Sequence, residues 1–224
     1  MAVEQGRQAM ESITKSVSTT DSKAPFDVII IGAGPAGFSA TLYAHEHKLK
    51  YATIEQETLG GAVAHYPRGK IVMTAPLKLP IIGQVKLGEI NKEVLMNFWR
   101  DAEQKSGIRI NSKERMDKIE RVDDGYIITT QKAAYHTKTV LLAIGRRGTP
   151  RKLNVPGEES SKVVYRLDDP TQYRNRSVLI VGGGNSALEA ALQISEEPNT
   201  KVTLSYRGTA FQNANPRNIA AVDE

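Results

Sequence analysis

The chain has 224 residues, 40% of them hydrophobic and 25% charged, with a formal net charge of +5 and no cysteine. That length and balance give one or two globular domains with real cores. The lack of cysteine excludes a disulfide framework, a thiolate metal site and a redox-active dithiol in this chain, and basic residues mixed with acidic ones, without a dense run, argue against nucleic acid as a partner.

Residues 1–24 read as a leader, with a short helix in "VEQGRQAMESI" followed by a linker rich in serine and threonine. They contain no apolar core of a secretory signal, so the expected location is the cytoplasm. The longest apolar runs, "VIII" and "TVLLAIG", have strand length and cannot span a bilayer. His45, His47, His65 and His136 form no ligand cluster, so no metal site is expected.

From Phe26 the pattern sharpens. "DVIII" is a buried strand and "GAGPAG" a turn. Ala36, Ala40, Tyr43 and Ala44 then mark one face of a helix. "KYATIEQE" is a second strand, and residues 58–90 form a long irregular excursion. Asn91 suits a helix N-cap, Val94, Leu95, Phe98 and Ala102 line one helix face, and Gly107 ends it. "GIRI" is a short strand. "GYIITTQ" and "YHTKTVLLAIG" are neighbouring strands joined by "KAA". The crossing segment "RRGTPRKLNVPGEESS" is the best domain boundary. Beyond it "VLIVGGGNSALEA" repeats the strand, glycine turn and helix of "VIIIGAGPAGFSA", and "KVTLSYRG" is the next strand.

The repeat has a chemical reading. A helix N-terminus offers free N–H groups and a positive dipole end, which suit a pyrophosphate. A side chain in the turn would hold the phosphates off. The glycines of Gly32-Ala-Gly34-Pro35-Ala36-Gly37 therefore divide into a tight turn, phosphate approach and close packing of helix on strand. Glu55, at the end of the next strand, suits a ribose diol. The second turn is Gly182-Gly-Gly184-Asn185-Ser186-Ala187, with alanine in the third glycine's place. Its next strand ends not in an acid but in Tyr206-Arg207. A guanidinium pairs with a 2′-phosphate that a carboxylate would repel, which favours NADP over NAD. Arg207 as a solvated strand-end residue is the plain alternative. FAD on the first turn and NADPH on the second fit the pair, one passing a hydride to the other.

Residues 25–224 resemble the low-molecular-weight thioredoxin reductase-like branch of the two-dinucleotide-binding flavoproteins. The resemblance is carried by "DVIIIGAGPAGFSA", Glu55, the glycine pair of "LGGAVAHYP", "TVLLAIGRRGTPRKLNVPGEE", "VLIVGGGNSALEA" and "VTLSYRGTAF". It implies an α/β fold of two Rossmann-like domains. These are an FAD domain, whose N-terminal part is 25–150, and an inserted, truncated NADPH domain at 151–224. It also implies a flavin end near Gly60, Gly61 and Ala62, a cofactor contact at Gln56, and a close backbone at Ala143 and Gly145. The family commonly has Ala-Thr-Gly where this chain has Ala143-Ile144-Gly145, and two adjacent arginines where it has Arg207-Gly208.

True thioredoxin reductases carry a cysteine pair before the second glycine turn, where this chain reads "VVYRLDDPTQYRNRS". The implied activity is an NAD(P)H-dependent flavoprotein oxidoreductase whose acceptor is a ferredoxin, an iron–sulfur module or a quinone. The implied partners are NADPH, a ferredoxin or iron–sulfur domain, and a second copy of the chain. A flavin monooxygenase and an NADPH-binding sensor without chemistry are the rival readings. His65, Tyr66 and Arg68 are candidates for tuning the flavin, or simply members of an ordered loop. "EQGRQAMESI" is similar to a helix that closes the flavin domain in glutamate synthase-like oxidoreductases. The expected chain is a fragment of a longer protein, lacking the segment that returns to the flavin domain with a Gly-Asp pair.

Overall fold

The computed structural model describes residues 1–17, 23–145 and 150–223. Parts of the expected linker and of the crossing segment lie outside the described residues. The chain divides into two compact units, Met1–Thr149 and Pro150–Glu224.

The first unit opens with helix α1 (Ala2–Val17), followed by strand β1 (Phe26–Ile31), helix α2 (Pro35–Glu46) and strand β2 (Tyr51–Ile54). A one-turn 3-10 helix (Gly61–His65) leads into four short strands, β3 (Ile71–Met73), β4 (Leu77–Leu79), β5 (Gly83–Val85) and β6 (Glu89–Asn91). The excursion is therefore built from two small antiparallel pairs, β3 with β6 and β4 with β5. Helix α3 (Lys92–Ser106) follows, and then β7 (Met116–Val122), β8 (Gly125–Thr130) and β9 (Ala134–Leu142).

The main sheet has the order β2-β1-β9-β8-β7. Its first three strands are parallel, and β8 and β7 continue it antiparallel. The central strand β1 shows why a continuous apolar run was needed. Val28 and Ile30 face one layer, with Met10, Ala40 and Ala44. Ile29 and Ile31 face the other, with Ile54 and Ile128. A third cluster joins Phe38 and Leu42 of α2 to Leu95, Met96, Trp99 and Ala102 of α3, with Leu59, Val63, Leu79 and Val85 from the excursion.

Several sequence expectations need revision. The first 24 residues are not only leader and linker, because α1 packs on α2 and buries Met10 completely. "GIRI" forms no strand; the chain there makes only an isolated parallel bridge between Ile54 and Asn111. The caps of α3 are as expected. The Asn91 side chain accepts a hydrogen bond from the Val94 N–H, and Gly107 is left-handed at φ 72°. Its buried face differs, however, being Leu95, Met96, Trp99 and Ala102, while Val94 is 47% exposed.

The second unit carries a short 3-10 turn (Pro170–Tyr173), β10 (Ser177–Val181), helix α4 (Asn185–Ser195), β11 (Lys201–Ser205) and helix α5 (Pro216–Asp223). β10 and β11 pair in parallel, so β10-α4-β11 repeats the β1-α2-β2 arrangement. Leu188, Ala191 and Ile194 form the buried face of α4.

Candidate functional site

The first glycine turn is a meeting point of four segments of the chain. Gly32 has φ 102°, and a side-chain carbon there would lie 2.5 Å from the carbonyl oxygen of Ala143, at the end of β9. Ala143 itself donates to the Ile31 carbonyl at 2.8 Å. At Gly37 a side-chain carbon would overlap the Gly32 carbonyl, 2.8 Å from its carbon. Both glycines are therefore required by packing alone.

Gly34 is different. It caps α2 with an ordinary φ of −71°, and the nearest atom to a side-chain carbon there is the Cα of Gly61, at 3.8 Å. Neither backbone strain nor a protein neighbour asks for glycine at that position. What glycine leaves is room, at the N-terminus of a helix, facing the Gly60-Gly61 turn. The Gly60 N–H donates to Ala33 O at 2.9 Å, and Gly60 and Gly61 are left-handed at φ 117° and 53°. The first intrahelical bond of α2 runs from Phe38 N–H to Gly34 O at 2.8 Å, so the N–H groups of Ala36 and Gly37 stand at the helix's open end. Ala62 and Gln56 are exposed beside these turns, and Gly145, at φ 70°, has no neighbour among the described residues within 4 Å of a would-be side chain.

Glu55 follows β2 and is 6% exposed. Its Oε2 accepts from the Ala33 N–H at 2.7 Å and its Oε1 from the Glu57 N–H at 2.8 Å. The acid thus closes the glycine turn from the neighbouring strand, a contact that strand-end spacing did not foretell. Each carboxylate oxygen has two lone pairs, so a ribose diol can still be accepted. His65 ends the 3-10 helix and pairs with Glu57. The Tyr66 carbonyl accepts from Lys92 Nζ at 2.5 Å. Arg68 is exposed. Met96, which would crowd any side chain at Gly60, also lines a cleft of about 380 Å³ with Thr58, Ala64, Lys92 and Asn97.

The second turn sorts its glycines in the same way. Gly182 has φ 145°, and Gly183 is covered by the ring of Tyr206, which would come within 2.5 Å of a side-chain carbon. Gly184 caps α4 at φ −96°, and no atom of the described residues lies within 4 Å of where a side-chain carbon would begin. Gly184, Asn185 and Ser186 are exposed, and Ala187 packs 3.2 Å from where a Gly182 side chain would begin. Asn185 Oδ1 is already engaged, accepting from the Asn215 N–H at 2.6 Å and Asn218 Nδ2 at 3.2 Å. It thereby fixes the start of α5 beside the start of α4. Tyr206 stacks on Phe211 with ring centroids 5.6 Å apart, and Arg207 follows it, exposed to solvent.

A family model described as pyridine nucleotide-disulphide oxidoreductase matches residues 29–222. The chain belongs to this family. Among pyridine nucleotide-disulphide oxidoreductases it is 32% identical, over 84% of its length, to a ferredoxin–NADP reductase of Levilactobacillus brevis. The match covers 55% of that protein. A thioredoxin reductase of Lactococcus lactis shares the fold at a TM-score of 0.70 and 26% identity, over 89% of this chain and 61% of that one. The bacillithiol disulfide reductase of Bacillus cereus matches with a TM-score of 0.76 at 24% identity, over 88% and 63%, a likeness of fold. The chain spans somewhat over half the length of the curated relatives it matches. The chain itself contains no cysteine.

Proposed function

We propose that this chain is an NADPH-dependent flavoprotein oxidoreductase, with FAD on the first glycine turn, NADPH on the second, and an acceptor that requires no dithiol. The observation that carries the reading is the pair Gly34 and Gly184. Each caps a helix, has an ordinary φ, and leaves open the space a side chain would fill.

In this reading the Ala36 and Gly37 N–H groups and the dipole of α2 take one pyrophosphate, with Pro35 fixing the helix start. Glu55 accepts from the adenosine ribose. The flavin end runs past Gly60, Gly61 and Ala62, Gln56 lies beside Glu55 along the same cofactor, and Ala143 and Gly145 keep the strand end close. Gly182, Gly184, Asn185, Ser186 and Ala187 receive the second pyrophosphate, and Arg207 pairs with the 2′-phosphate. The chemistry that bound flavin supplies is hydride acceptance from reduced nicotinamide and delivery of the electrons onward; the protein's share is placement and electrostatics.

A ferredoxin or iron–sulfur acceptor is favoured over a disulfide by the absence of cysteine and by the relatives named ferredoxin–NADP reductase in Ignicoccus hospitalis and Levilactobacillus brevis. A quinone is the third acceptor of this class. Equilibrium titration of the purified chain tests the reading. One FAD and one NADPH should bind per chain without competing. Failure to bind either, or mutual displacement, contradicts it.

A further inference from the structure

Helix α1 meets the first turn of α2 at Gly6. A side-chain carbon on this buried glycine would overlap the Ala36 carbonyl, 2.8 Å from its carbon and 3.0 Å from the Ala36 Cα. The neighbours on the same face of α1 hold it there. Met10 is fully buried against Ala40 and Ala44, and Val3 packs on the cluster that contains Phe38. A glycine inside a helix costs about 0.5–1 kcal/mol relative to alanine. At this position it lets one helix lie directly on the backbone of the other.

The place of contact matters. Ala36 is the second residue of α2, within the turn whose N–H groups face the open space at Gly34. Its neighbour Gly37 is pressed against the Gly32 carbonyl from the sheet side. The first turn of α2 is therefore gripped twice, by Gly37 on Gly32 and by Gly6 on Ala36. A grip that fixes donors before the ligand arrives lowers the ordering cost of binding.

We infer that α1 is a clamp that presets the phosphate-binding turn, with Gly6 as its positioning residue. The inference rests on reading that turn as the FAD site. The second glycine turn, in the other unit, provides an internal control.

The test uses the full chain as wild type, Gly6→Ala, Gly6→Val, and Ser12→Ala on the exposed face of α1. FAD and NADPH are titrated separately, below the unfolding temperature of each protein. The FAD dissociation constant should rise about tenfold in Gly6→Ala and further in Gly6→Val, as expected for lost preorganisation. NADPH affinity should stay unchanged in both, and Ser12→Ala should alter neither. In the wild-type chain, added FAD should slow hydrogen exchange in α1 as well as in the first turn of α2, a measurement that does not depend on any variant folding. Unchanged FAD affinity in the Gly6 variants, equal loss of FAD and NADPH, or no FAD effect on α1 exchange overturns the clamp. A wild-type chain that binds no FAD at all defeats the site reading, and the clamp with it.

Discussion

The carboxylate of Glu55 accepts the backbone N–H of Ala33 at 2.7 Å, tying the end of β2 to the middle of the first glycine turn. The acid therefore has a structural task as well as the proposed one at the ribose. Glu55→Gln keeps the size but sets an amide N–H₂ against one of two backbone donors, Ala33 or Glu57. Urea unfolding should show a loss of about 1–3 kcal/mol, the cost of leaving a buried donor unpaired. FAD affinity should fall in the same variant. Wild-type stability and affinity together would contradict both tasks.

The two glycines on either side of Ala36 should respond in opposite ways. Gly34→Ala meets nothing closer than the Gly61 Cα at 3.8 Å, so its stability should stay within about 1 kcal/mol of wild type. Its FAD binding should nevertheless be lost, because the methyl group occupies the ligand's space. Gly37→Ala drives a carbon into the Gly32 carbonyl, and should cost about 3 kcal/mol or more. Denaturation curves and FAD titrations on the two variants make the comparison. A Gly34→Ala protein that binds FAD normally would remove the argument from open space.

In the proposed NADPH site, Arg207, just beyond β11, takes the place of the acid that would read a ribose diol. Arg207→Ala should weaken NADPH binding by about tenfold or more, the scale of a charge-assisted hydrogen bond, and leave NADH nearly unchanged. Competitive binding of the two cofactors checks this. Equal losses for both cofactors would remove the phosphate-reading role, and no loss for either would make Arg207 a solvated strand end.

Asp27 gives a pH dependence. Burial pushes its carboxyl up, but Lys138 Nζ at 2.9 Å and the Lys50 N–H at 2.8 Å outweigh that and hold it below its ordinary value. A folded value below the unfolded one means the contribution is present above the unfolded carboxylate's pKa, about 4, and is lost as pH falls through the lower folded value. The urea midpoint of wild type should exceed that of Asp27→Asn by a constant margin near neutral pH, equivalent to about 2 kcal/mol. The gap should narrow only in the acid range below about pH 4. A gap that persists undiminished through that range contradicts the assignment.

What the sequence made legible follows from locality. The β1-turn-α2 and β10-turn-α4 units depend on residues close in the chain, as do the caps Asn91 and Gly107, and all four were readable. The buried face of α3 is only partly legible, because Leu95 and Ala102 fit either of two overlapping stripes and only packing selects Met96 and Trp99 over Val94. β7 gives no strand signal because "MDKIERV" has no buried residue to set a period of two. The clasp of Glu55 on Ala33 and the seat of Gly6 on Ala36 join residues far apart in sequence. A glycine inside a helix signals only a local cost, and nothing in its neighbours names the carbonyl it accommodates.

The proposed function requires that NADPH reduce the flavin held by this protein. The most direct measurement is the absorption spectrum of the FAD-loaded chain, recorded anaerobically before and after one equivalent of NADPH. The account predicts that the yellow band of oxidised flavin bleaches, faster than with NADH, and returns when an electron acceptor is added. Bound flavin that stays oxidised in the presence of bound NADPH would contradict it.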